Sequence, residues 1–71
     1  MSFVVTQKMK DEAKQALHHR KYPLPTHVLF YQYEGQDWEY VFCKNYTQAQ
    51  DVRDKSDLNA ENSSIISVYT L

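Results

Sequence analysis

Cysteine, glycine and proline are nearly missing from this chain: one, one and two among 71 residues. The lone Cys43 allows no internal disulfide and no thiolate pair for zinc, and it fits a reducing compartment such as the cytoplasm. So little Gly and Pro argues against a loop-rich or disordered chain. No apolar run approaches the roughly 20 residues of a membrane span, so no membrane partner is expected. The opening residues, MSFVVTQKMKDE, turn charged too early for a secretory leader. A Gly-rich phosphate loop, a nucleophile elbow and a clear carboxylate pair are all lacking. The chain therefore reads as non-enzymatic and free of cofactors.

What remains is ordinary in bulk. Hydrophobic residues make up 42% and charged ones 24%, as in a small globular domain. A chain this short buries only about 60% of its unfolded surface, which implies one domain, residues 1–71, with a thin core. The net charge of −1 is unevenly spread. Residues 1–25 carry five cations against two acids, net +3; residues 26–71 carry three cations against seven acids, net −4. Such asymmetry suits a charged partner or a second subunit, and equally suits solvated helix faces.

The pattern of elements is legible. Ser2–Thr6 is β-branched and aromatic, so a strand is expected there. Thr6 then caps a helix from Gln7 to about Arg20, with Met9, Ala13, Ala16 and Leu17 as its apolar stripe. Tyr22–Pro25, YPLP, ends it. Thr26–Tyr33 and Trp38–Lys44 read as two strands of a hairpin around Glu34-Gly35-Gln36-Asp37, with the single Gly at the turn. Thr47 with Gln50 three residues on reads as a capping box, opening a second helix that runs to about Ser56 or Leu58. Asn59–Ser63 is polar and turn-like, and Ser64–Leu71 closes as a strand. The order β-α-β-β-α-β predicts an α+β, ferredoxin-like domain: a four-stranded antiparallel sheet with both helices on one face. Without the first strand, the alternative is α-β-β-α-β with three strands.

Seven of the ten Phe, Tyr and Trp residues fall between Val28 and Tyr46. Side chains alternate across a strand. With an even-length connection, Leu29, Tyr31, Tyr33, Trp38, Tyr40 and Phe42 share one face of the hairpin. Val28, Phe30, Gln32, Glu39, Val41 and Cys43 then share the other. An odd-length connection or a bulge exchanges the partners. The aromatic face is either core under the helices or an open surface. Two helices offering chiefly Ala, one Met, one Leu and one Val are short of material to cover it. An open face of this kind marks a contact surface, since Trp and Tyr most often anchor interfaces.

The expected function is therefore a small adaptor- or inhibitor-type module, of the size that phage or plasmid genes encode. It binds a protein partner, or itself as a homodimer, through Tyr31, Tyr33, Trp38, Tyr40 and Phe42. Single-stranded nucleic acid ranks second. RNA-recognition motifs share the βαββαβ order and stack bases on such rings. WEYVFCKNY lacks that family's leading basic residue and both its glycines, and cations are sparse on the hairpin. No metal site is expected, because His18 and His19 point about 100° apart on a helix. Cys43 reads as a small buried hydrophobe and not as a nucleophile.

Overall fold

The computed structural model describes residues 3–71. Helix α1 (Gln7–His18) leads into β1 (His27–Tyr31), then β2 (Glu39–Cys43), α2 (Tyr46–Lys55) and β3 (Ser63–Ser67), with a single 3-10 turn at Val68–Thr70. The sheet has three strands in the order β2-β1-β3, and β1 pairs antiparallel with both neighbours. The three-stranded α+β alternative is thus the observed one, and the four-stranded ferredoxin-like sheet is corrected. Of the expected first strand, Ser2 lies outside the described residues, and Phe3–Thr6 forms no strand. This segment alternates as a strand would, with Val4 exposed and Phe3 and Val5 packed on the core. Among the described residues, its one backbone bond outside α1, from Phe3 N–H to the Ala60 carbonyl, is long at 3.5 Å. A single bond makes no ladder.

Thr6 caps α1 as predicted. Its hydroxyl accepts from the Met9 amide at 3.3 Å, and the Met9 sulfur accepts from the Thr6 amide at 3.3 Å. This is a reciprocal capping box in which a thioether stands where Glu or Gln is usual. The second helix begins earlier than its sequence suggests. Asn45, not Thr47, is the cap: its side-chain oxygen accepts from Gln48 N–H at 2.7 Å. Gln48 in turn accepts from the Lys44 amide at 2.7 Å. At the other end Asp57 takes a left-handed conformation, φ 58°, and Leu58 closes back onto the Arg53 carbonyl and is buried. The last strand is shorter than expected. The Ser67 hydroxyl accepts from Tyr69 N–H, which turns the chain away from the sheet after Ser67.

The hairpin register decides the core. Val28 faces Phe42, Leu29 faces Val41 and Phe30 faces Tyr40, so residues of like parity pair. The odd-length link between β1 and β2, residues 32–38, therefore corrects the even-length assignment of faces. Even positions Val28, Phe30, Tyr40, Phe42 and Ile66 lie together under Met9 and Ala13 of α1. Odd positions Leu29, Val41, Cys43 and Ile65 turn to the other side. There α2 lies close along all three strands, with Ala49 fully buried. Each helix thus covers its own face, and the expectation of both on one face is corrected. The reason is visible in β1: Val28, Leu29 and Phe30 all have zero exposure, and a strand apolar on both sides needs two covers. Both helices bury an alanine, Ala13 and Ala49; α2 lies close along the strands, and the large rings fill the space under α1.

Phe30→Ala is expected to cost about 3–5 kcal/mol, the usual price of an aromatic cavity. A domain of this length has only about 4–11 kcal/mol in total. Chemical denaturation should show the variant losing roughly a third or more of its stability, while Tyr22→Ala, at 88% exposure, should change stability by less than about 0.5 kcal/mol.

Candidate functional site

The five ring-bearing residues expected to form one surface fall on two. Trp38, just before β2, and Tyr40 and Phe42 within it share the α1 side. Trp38 and Tyr40 stack with centroids 6.0 Å apart and planes at 29°, and Tyr40 meets Phe42 edge-on at 5.6 Å. Phe30 of the central strand supports the row from beneath, 6.2 Å from Trp38 and 6.1 Å from Tyr40. The Arg20 guanidinium, just past the end of α1, sits 5.0 Å over the Phe42 ring and closes the row with a cation–π contact. All three rings of the row are half-buried. They are therefore both core rim and surface, an outcome between the two that the sequence offered.

Tyr31 and Tyr33 belong to the opposite side. Their rings meet edge-on at 5.8 Å. Tyr33 donates its hydroxyl proton to the Ser56 carbonyl at 2.6 Å, which fastens the C-terminal end of α2 to the hairpin. Tyr31 donates to Glu39 Oε2 across the strands at 3.3 Å. Burial raises the Tyr31 phenol above its usual value, and the Glu39 charge, the hydrogen bond to it and Tyr33 add to the rise.

The backbone of β2 carries a signal that sequence reasoning missed. Gln32 N–H bonds the Asn62 carbonyl at 2.9 Å, and Val68 N–H bonds the Thr26 carbonyl at 3.0 Å. The Gln32 amide and the Thr26 carbonyl thus flank β1 and point at β3, while the Thr26 amide, just before the strand, turns to the Cys43 carbonyl at 3.1 Å. Between them the register of β1 alternates, even positions toward β3 and odd ones toward β2. The partners of the odd residues are Glu39, Val41 and Cys43. By alternation the N–H and C=O groups of Tyr40 and Phe42 point outward, where β2 has no neighbouring strand. β1 is the central strand, with a neighbour on each side. Two clefts flank the row. One of about 590 Å³ opens beside Trp38, between Phe3, Val4, Met9 and Gln32, and one of about 200 Å³ lies beside Phe42, Arg20, Leu24 and Lys44.

No family model, curated protein or solved structure matches this chain. Its site is read from its own geometry alone.

The remaining candidates stay apart. Cys43 is buried, and burial raises its thiol pKa, which disfavours the reactive thiolate. His27 contacts the Thr26 hydroxyl at 2.8 Å and meets the Tyr46 ring edge-on. Among the described residues, no group of three or more His, Cys, Asp or Glu is placed to hold a metal ion. No helix among them is long and apolar enough to cross a membrane.

Tyr31 gives a pH test. A phenol held protonated in the fold adds stability below its unfolded value of 10.0, and this is lost as pH rises through its higher folded value. Tyrosine ring shifts followed by NMR should place Tyr31 above 10.0, and Glu39→Gln should lower its midpoint without restoring the usual value, because burial is the larger cause. A midpoint untouched by Glu39→Gln would contradict the contact.

Proposed function

We propose that the chain is a small non-enzymatic interaction module, of adaptor or inhibitor type. It takes an extended segment of a protein partner along the open edge of β2. The observation that carries this reading is the coincidence of two features on one strand: the outward backbone groups of Tyr40 and Phe42, and the half-buried row Trp38, Tyr40, Phe42 beside them. Strand addition uses both, because main-chain hydrogen bonds supply affinity and flanking pockets select side chains. The cleft beside Phe42 serves as such a pocket. In the expected set of five, Tyr31 and Tyr33 then hold the fold on the α2 side, and Trp38, Tyr40 and Phe42 make the contact.

Single-stranded nucleic acid is the competing ligand. Arg20 and Lys44 lie at one end of the row, which favours it, but the hairpin link and β2 add only acids, Glu34, Asp37 and Glu39, and no further cation. Phosphate contact needs cations along its length.

The test is a selection of random extended peptides on the folded chain, at a dilution where it is monomeric. Selected peptides should slow hydrogen exchange at the Tyr40 and Phe42 amides and shift Trp38 fluorescence. Peptides that bind and leave those amides unprotected would refute the edge as the site. Oligonucleotide binding that weakens steeply with salt, with no peptide binding, would establish the competing reading.

A further inference from the structure

From the same edge we infer a specific partner, a second copy of this chain paired antiparallel through β2; this rests on the edge reading above. An open strand is a hazard unless the protein blunts it with lysine, proline or a bulge. The centre of β2, Tyr40-Val41-Phe42-Cys43, carries none of these. Its composition is aromatic and β-branched, which is the kind that pairs with its own kind.

The geometry also selects the register. An antiparallel pair related by a two-fold axis places each residue i opposite the residue at equal distance beyond the axis. With the axis at Val41, the midpoint of Glu39–Cys43, the whole strand is paired. Tyr40 then faces Phe42 of the other copy. These are the two residues whose amides and carbonyls point outward, so each such group finds its complement. An axis at Phe42 makes fewer bonds, because it sets Tyr40 of both copies against Lys44, whose N–H is already held by Gln48, and leaves only the Phe42 pair fully bonded. An axis at Tyr40 draws on Trp38, which lies outside the strand.

Charge agrees with this register. Glu39 faces the neutral Cys43 of the other copy, and Trp38 faces its Lys44, a cation beside an indole. No like charges stand opposite one another. The two aromatic rows merge on one side of a continuous six-stranded sheet, and the exposed flanks of Tyr40, Val41 and Phe42 are covered. Val41 meets Val41 at the axis, with no backbone bond between them.

Val41 is therefore the residue to change. Sedimentation should find wild-type chain as a concentration-dependent dimer, with Tyr40 and Phe42 amides protected in the dimer alone. Val41→Lys and Val41→Glu, each placing like charges at the axis, should each be monomeric with an unchanged far-ultraviolet spectrum. An equimolar mixture of the two should recover the dimer, which a folding defect cannot produce. A wild-type chain that stays monomeric at all concentrations would overturn the inference, and peptide protection of the same amides would then still support the edge reading. A dimer unaffected by both substitutions would overturn it as well, placing the contact elsewhere.

Discussion

Everything in this fold depends on β1 being enclosed. Its three central residues are sealed from solvent on both faces, and its backbone is bonded on both edges. Five residues thus act as the axis of the domain. A helix must lie on each side, and the two remaining strands must flank it. In a chain this small no second core offsets a defect in the first.

That constraint turns hairpin register into function. An odd-length link puts like-numbered residues on the same face, so Phe30 draws Trp38, Tyr40 and Phe42 to the α1 side. Tyr33 is left to tie down α2 from the other side. The aromatic cluster is sorted into a structural half and a half that reaches the surface at an edge. Because β1 occupies the centre, β2 is left with an open flank, and alternation assigns that flank to Tyr40 and Phe42. Core and contact surface are consequences of one pairing.

Much of this was legible in the residues. Thr6 as cap, Met9 and Ala13 as buried stripe, Gly35 at the turn (φ 77°) and the hairpin itself follow from local chemistry. The three-stranded alternative also followed, from leaving Ser2–Thr6 out of the sheet. Less legible was anything set by pairing between distant segments. Face assignment rested on the parity of a loop whose strand ends shift by one residue, and such a shift inverts every side chain. Asn45 and Thr47 are both good caps, and the reach of Gln48 to Lys44 chose between them. The sealed run Val28-Leu29-Phe30 was the available clue to a helix on each face, since a half-exposed strand would have alternated.

The central claim is the register, and cross-strand proton contacts measure it directly. An NMR nuclear Overhauser spectrum in heavy water should show close α-proton pairs between Val28 and Phe42 and between Phe30 and Tyr40. These are the pairs without mutual backbone bonds, where Cα atoms approach to about 4.5 Å. Contacts of Val28 or Phe30 α-protons with those of Val41 or Cys43 in their place would mean the other parity, and would dissolve both the aromatic row and the outward edge built on it.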